Sequence, residues 1–258
     1  MSELVLTDVD ADGIAVLTLN RPRRLNALAP DLRDALHVAV IDVMAREDVA
    51  AVIITGTEGR FCAGGDISQM VQPPIVQGRM RMEKTAEVVR AIASGAKPVI
   101  AAVEGVAYGG GLSLALACDY VIAAEDARLC ASFVNVGLAP DYGLSYSLAM
   151  RVGAARAKRM CLRAIEVKGA DALEIGMVDE VCPKGEALAR AIDEAKGYVG
   201  RPPLAIALTK AAFARAPSTL DEALRTEVDF QSTLFRTEDH KEGVDAFLEK
   251  RKPVFRGR

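Results

Sequence analysis

The chain has 258 residues, 51% hydrophobic and 26% charged, with a formal net charge of −3. That length suits one large core, or one core with a small appended region, and the weak acidity argues against a nucleic-acid footprint. No apolar run approaches the roughly 18–20 residues of a membrane helix, and Met1-Ser2-Glu3-Leu4 shows no basic segment leading into an apolar one, so a cytoplasmic location is expected.

From the start, Leu4 to Val9 and Ile14 to Leu19 flank Asp10-Ala11-Asp12-Gly13, a hairpin signal. Pro30 opens a helix whose Leu32, Ala35, Leu36, Ala39, Val40 and Val43 recur at helical spacing. Ala51-Val52-Ile53-Ile54 is continuously apolar and predicts a buried strand. The segment Met70 to Arg81, with Pro73-Pro74, reads as a mobile loop, followed by a helix over about Arg79 to Ala93. Pro98 to Val103 is a second buried strand, Gly111 to Ala117 a helix entered from a glycine turn, and Tyr120 to Ala123 a strand again. This alternation predicts an α/β core. After about Lys184 only helices follow: Glu186 to Val199, Pro203 to Arg215, Leu220 to Leu234 and Lys241 to Lys250, with breaks at Arg201-Pro202-Pro203, Ala216-Pro217-Ser218 and Glu238-Asp239.

The five cysteines, Cys62, Cys118, Cys130, Cys161 and Cys182, are odd in number, widely spaced and lack a C-x-x-C. Reduced buried thiols are expected, with neither disulfides nor a metal site. Lys250-Arg251-Lys252 and Arg256-Gly257-Arg258 form a basic tail that reads as a solvated end.

The chemistry is concentrated in two glycine segments. Phe61-Cys62-Ala63-Gly64-Gly65-Asp66-Ile67 follows the strand ending at Ile54, and Tyr108-Gly109-Gly110-Gly111 follows the strand ending at Val103. Glycines at strand ends let backbone approach a ligand, and a helix start offers free N–H groups. Facing one another, two such loops can place two donors on one oxygen; losing one donor from an oxyanion hole typically costs about 2.7–4 kcal/mol. Taken singly, each is most often a plain turn. Neither fits a dinucleotide or phosphate-loop pattern.

In order along nearly the whole chain, the segments resemble those of the enoyl-CoA hydratase/isomerase, or crotonase, superfamily. The matches are Arg21-Pro22 with Asn26-Ala27-Leu28, the two glycine segments, Lys97 to Val103, Ala117-Cys118-Asp119, Ala124-Glu125-Asp126-Ala127, and Ala246 to Pro253. The resemblance implies an α/β crotonase fold of repeated ββα units, with residues 1–195 as the core carrying the CoA and acyl site. It implies that residues 196–258 form a C-terminal helical region mediating a homotrimer, or a hexamer built as a dimer of trimers. The implied partner is an acyl-CoA thioester, with coenzyme A part of the substrate and no separate cofactor. Gly65 and Gly110 inherit the oxyanion donors. CoA is expected along Arg24, Leu25, Ala27, Ala63, Asp66 and Ile67, with Phe247 and Lys250 reaching its nucleotide end, from a neighbouring subunit if one is present.

Hydratases of this superfamily use two glutamates, which fall here on Ser113 and Phe133. Serine is a poor general base, and phenylalanine transfers no proton. Both positions are expected to touch the substrate, Ser113 or Ser132 through a water or a substrate oxygen and Phe133 as a wall with Leu144. Tyr108 and Tyr142 are further candidates for lining or packing. The stretch Gly137-Leu138-Ala139-Pro140-Asp141-Tyr142-Gly143 resembles the L-x-P-D-x-G segment of the branch that includes ring-1,2-epoxyphenylacetyl-CoA isomerase, so Asp141 inherits the acid/base role. The expected activity is isomerisation of a 3-enoyl-CoA to a 2-enoyl-CoA, or of a ring-derived CoA thioester. The alternatives are an enoyl-CoA hydratase and a non-catalytic acyl-CoA binder. Glu104 and Asp119 are expected to be structural, and His37 and His240 to lack catalytic partners.

Overall fold

Asp10 closes the predicted hairpin with its own side chain. Its carboxylate accepts from the N–H groups of Asp12 at 2.9 Å and Ile14 at 2.8 Å, a local turn typical of aspartate. The turn joins β1 (Val5–Val9) to an antiparallel β2 (Ile14–Leu19). The computed structural model describes residues 3–70 and 72–258. Met1 and Ser2 of the chain start, and Val71 of the predicted loop, lie outside the described residues.

Next come α1 (Pro30–Ala45), β3 (Ala51–Gly56), α2 (Ile75–Ser94), β4 (Val99–Val103), β5 (Val106–Tyr108), α3 (Gly110–Leu116), β6 (Tyr120–Ala124) and β7 (Arg128–Cys130). The chain continues through α4 (Leu144–Val152), α5 (Ala154–Arg163), β8 (Glu166–Lys168), α6 (Gly169–Glu174) and β9 (Glu180–Cys182). It closes with α7 (Ala187–Lys196), α8 (Pro203–Ala214), α9 (Leu220–Leu234) and α10 (Glu238–Glu249). One sheet has the order β1-β2-β3-β4-β6-β9, parallel from β2 onward, and a second has the order β5-β7-β8.

Residues 51–54 of strand β3 are all apolar because both faces of the sheet are covered. Val52 and Ile54 join Leu32, Leu36 and Val40 of α1 and Ile92 of α2 in the main core. Ile53, on the opposite face, packs with Ile100, Ile122 and the buried alanines Ala187, Ala191 and Ala195 of α7. Glu104 secures the start of α7, its carboxylate accepting from the N–H groups of Gly185 (2.9 Å) and Ala187 (3.1 Å).

Three boundaries differ from the sequence-based expectation. Helix α2 begins at Ile75, so the stretch from there to Arg81 is helix rather than loop. Its first turn shows no apolar face, since Ile75, Val76 and Met80 are all exposed, and a proline just before a helix is a start signal as readily as a break. Likewise Glu238-Asp239 opens α10 instead of interrupting it, because Thr237 accepts from His240 N–H at 3.1 Å as an N-cap. The basic tail is also no free end. Asp239, 4% exposed, accepts from Arg256 N–H at 2.6 Å and Gly257 N–H at 2.8 Å.

Helix α8 is docked by Lys210, whose ammonium donates to Asp119 at 2.5 Å and to the Lys97 carbonyl at 2.7 Å. Asp119 in turn accepts from Val99 N–H at 2.7 Å, the backbone-tying role expected for it. Yet α8 and α9 bury no residue fully. Phe213, Val228, Phe247 and Leu248 remain largely exposed on this helical end of the chain.

Candidate active site

Backbone hydrogen bonds bring the two glycine segments together. Cys62 N–H donates to the Val106 carbonyl at 2.9 Å, and Tyr108 N–H donates to the Cys62 carbonyl at 3.0 Å. The resulting parallel bridge lays Cys62 beside Ala107. Gly64 has a φ of +88°, and a β carbon there would stand 2.5 Å from the Tyr108 carbonyl oxygen. Only glycine permits so close an approach. Gly65 and Gly110 both line a cavity of about 90 Å³. Among the described residues, no backbone acceptor pairs with either N–H. The Met70 methyl group packs on Gly65, at the position a β carbon would take.

A third strand of chain flanks this pair. Ala63 N–H donates to the Leu25 carbonyl at 3.0 Å, and Leu28 N–H donates to the Gly64 carbonyl at 2.7 Å. Asn26, fully buried, fixes the turn: its Oδ1 accepts from Arg21 N–H at 2.8 Å and its amide donates to the Arg60 carbonyl at 2.6 Å. Leu25 and Asn26 both lie in the left-handed region, with φ of 52° and 54°.

Asp141 enters the same cavity from the far side. It follows the 3-10 turn Ser132–Val136, which Gly137 ends in a left-handed cap. Tyr142 (φ 51°) and Gly143 (φ 75°) are left-handed in succession, and Leu144 N–H donates to the Asp141 carbonyl at 3.1 Å. A left-handed tyrosine costs about 1–2 kcal/mol, so the reversal that positions Asp141 is held by packing; Tyr142 is buried. Asp141 Oδ1 is buried and has no partner among the described residues. Burial raises the pKa of this carboxyl to about 6, against the opposing pull of Arg33 and then Arg81. No other carboxylate lines the cavity among the described residues.

Of the predicted contacts, Ala63, Gly65, Ile67, Gly110, Phe133 and Asp141 line this cavity. Arg24, Leu25 and Ala27 belong to the flanking turn, with Leu25 exposed and Ala27 buried. Asp66 lies next to the cavity residues Gly65 and Ile67, and both its oxygens are engaged. Oδ2 accepts from Arg21 at 2.7 Å, and Oδ1 accepts from the Ser68 hydroxyl at 2.6 Å and N–H at 3.1 Å. These hydrogen bonds, Ser68 first, hold its pKa below the usual range, so Asp66 latches the loop rather than offering a free carboxylate. Ser113 does not reach the cavity. It is fully buried, and its hydroxyl donates back to the Gly109 carbonyl at 3.1 Å, an i−4 bond favoured inside a helix. Tyr108 also leaves the cavity, its hydroxyl bonding Glu166, while Leu144 sits in the core. Ser132, by contrast, does line the cavity.

Phe247 and Lys250 stand apart from the cavity within one chain, Phe247 lining a groove of about 620 Å³ among α8, α9 and α10. His37 has an unforeseen partner, Glu87 at 2.8 Å, but the pair is at the surface. His240 packs edge-on against Phe235. Arg33 and Arg81, unnoticed in the sequence, line the cavity beside Asp141. A lone arginine on an amphipathic helix gives no local signal that it faces inward.

The model of the family described as enoyl-CoA hydratase/isomerase matches residues 10–258. The chain belongs to that family. A short-chain-enoyl-CoA hydratase of Clostridium acetobutylicum is 37% identical over 241 residues, covering 93% of this chain and 92% of the relative. A 1,2-epoxyphenylacetyl-CoA isomerase of Escherichia coli is 36% identical, with 100% of both chains covered. Among solved structures, an enoyl-CoA hydratase of Bacillus anthracis superposes with a TM-score of 0.91 at 30% identity, over 99% of this chain and 100% of that one. The architecture is therefore the crotonase fold, with its ββα repeats and helical C-terminal region, as expected from the sequence. In this member of the enoyl-CoA hydratase/isomerase family, the glycine-loop cavity carries one carboxylate rather than a pair among the described residues.

Proposed function

We propose that this protein is an acyl-CoA isomerase that moves a double bond from the 3- to the 2-position of an enoyl thioester. Gly65 and Gly110 N–H groups would hold the thioester oxygen, and ionised Asp141 would take a proton from the α carbon. The electron pair passes to the oxygen, giving a dienolate; protonated Asp141 then returns the proton to the γ carbon and the conjugated thioester forms. A single acid/base group suffices for this sequence, and Asp141 as the one carboxylate of the cavity among the described residues is the observation that carries it. A carboxyl with a pKa raised to about 6 is suited to both halves of the transfer. A relative from Escherichia coli named as a 1,2-epoxyphenylacetyl-CoA isomerase, similar across the whole chain, supports an isomerase reading and a ring-derived CoA thioester as the other candidate substrate.

Hydration of a 2-enoyl-CoA is the second reading. Relatives named as hydratases, at 37% identity from Clostridium acetobutylicum and 37% from Syntrophomonas wolfei, support it. Here Asp141 would activate a water held beside Ser132. The two reactions separate cleanly in one assay. Isomerisation predicts conversion of a 3-enoyl-CoA to its conjugated isomer, abolished in Asp141→Asn. Rapid loss of crotonyl-CoA conjugation with 3-hydroxy product identifies the hydratase instead. CoA-thioester binding without turnover on either substrate would leave only a binder.

The assembly proposed with this activity is a trimer, or a hexamer of paired trimers, formed through residues 196–258. Helices that bury no side chain fully in one chain need a second surface. A neighbour's Phe247 and Lys250 would then reach the CoA nucleotide.

A further inference from the structure

Three buried side-chain polar atoms among the described residues have no partner, and two of them belong to one cavity: Asp141 Oδ1 and Arg33 Nε. Asp141 has its role in the proposed reaction. Arg33 has none. An acyl chain of methylenes cannot satisfy a buried guanidinium N–H, and leaving such a charged donor unpaired is costly.

Arg33 lies among charges of both signs, those of Arg81, Asp141 and Asp34. Arg33, Arg81 and Tyr142 form a wall common to the thioester cavity and to a larger one of about 400 Å³ between α1 and α2. In that larger cavity Lys84 is paired with Asp34 at 2.8 Å and His37 with Glu87 at 2.8 Å. Arg33 and Arg81 make no ion pair with any described residue. At the junction of the two cavities the half-buried Arg33 and the exposed Arg81 thus stand with one carboxylate oxygen that lacks a partner, Asp141 Oδ1, while Asp34 is taken up by Lys84. A planar fork of N–H donors is the partner a carboxylate takes best, and it binds through charge-assisted hydrogen bonds.

We infer that the acyl group of the substrate ends in a carboxylate, held by Arg33 and Arg81 where the thioester cavity opens between α1 and α2. The substrate class is then the mono-CoA thioester of a short dicarboxylic acid. This inference rests on the acyl-CoA site proposed above and refines it. The thioester oxygen sits at the glycine loops, the reacting carbons pass Asp141, and the far end leaves between two helices, where Arg33 and Arg81 stand beside Leu36, Met80 and Val88. Asp141 turns over the middle of the chain while the arginines fix its end.

The test compares two saturated thioesters that cannot react, glutaryl-CoA and pentanoyl-CoA, which differ by a terminal carboxylate or methyl. Calorimetric titration of the full chain at low salt should show glutaryl-CoA binding at least about tenfold tighter, as one desolvated charge-assisted hydrogen bond would give. Arg33→Gln and Arg81→Gln should each shrink the ratio, and the double variant should bring it to one or below. Arg33→Lys, which keeps the charge and loses the fork, should retain part of it. Because the readout is a ratio within each variant, a general loss of stability does not imitate the result. Equal or tighter binding of pentanoyl-CoA by the natural chain overturns the inference and leaves the acyl-CoA site standing. A preference that survives in the double variant also overturns it, since the carboxylate would be held elsewhere. Binding of neither ligand removes the acyl-CoA site itself, and this inference with it.

Discussion

Gly111 rests on Cys62 so closely that a β carbon on the glycine would stand 2.8 Å from the cysteine β carbon and nearer still to its carbonyl oxygen. This contact presses the first turn of α3 against the other glycine loop. Neither partner can retreat, because the Cys62 carbonyl already accepts from Tyr108 N–H. Gly111→Ala is therefore expected to force the loops apart. It should lower the melting temperature by an amount equivalent to about 1–3 kcal/mol and reduce turnover more than binding, since the displaced Gly110 donor lies one residue away. Cys62→Ala, which leaves the carbonyl in place, should cost less in both.

Gly64→Ala tests the partner loop. Its φ of +88° and the Tyr108 carbonyl 2.5 Å from the position of a β carbon combine backbone strain with a clash. A cost above the roughly 1–2 kcal/mol of a left-handed residue alone is expected in denaturant unfolding. A cost near zero would mean that the loops are not held as described.

Asp141→Asn should lower kcat/KM for isomerisation by at least about 100-fold. The natural chain should lose activity on the acid side, with a limb near pH 6, because the carboxylate that abstracts the proton is ionised only above its pKa of about 6. A limb close to pH 4 would show that the carboxyl is not desolvated.

The same carboxyl should leave a signature in stability. Its folded pKa of about 6 lies above the ordinary value of 3.8, so the folded chain binds this proton more tightly than the unfolded one. Stability from this group is greatest below about pH 4, declines through pH 6, and stays low above it. Asp141→Asn should therefore gain up to about 2–3 kcal/mol at pH 8, with the gain vanishing near pH 4. Unfolding curves of both proteins at the two pH values would settle it.

Lys210→Met removes the ammonium that bonds Asp119 and the Lys97 carbonyl. Asp119 would be left with only its bond from Val99 N–H and the more distant pull of Arg151. A loss of about 2–4 kcal/mol is expected, with amide exchange rising first in α8. Unchanged protection there would mean that α8 is held by other contacts.

The sequence carried the sheet and the main helices because burial on both faces leaves continuous apolar runs such as Ala51 to Ile54 and a clean helical stripe such as Leu32, Leu36, Val40 and Val43. It was silent on the short strands β5, β7, β8 and β9, each three residues long, where there is no room for a period to show. The start of α2 was missed for the opposite reason, an exposed first turn without an apolar face. In the site, ordered motifs pointed to Gly65, Gly110 and Asp141. They did not separate a side chain that faces the cavity from one turned inward. Ser113 sits among the glycine motifs, yet its hydroxyl is spent on Gly109. Arg33 carries no motif at all, and only the packing of α1 against Asp141 and Tyr142 gives it a place.

The tie between Asp239 and the final residues changes what the basic tail is for. Its charges draw attention, and Arg258 Nε does reach Glu238 at 3.0 Å, but the buried carboxylate of Asp239 is met by the backbone N–H groups of Arg256 and Gly257. The tail works as a plug of peptide backbone fitted to a buried carboxylate. Removal of residues 256–258 would take both donors away and leave the Asp239 carboxylate buried against its own fold.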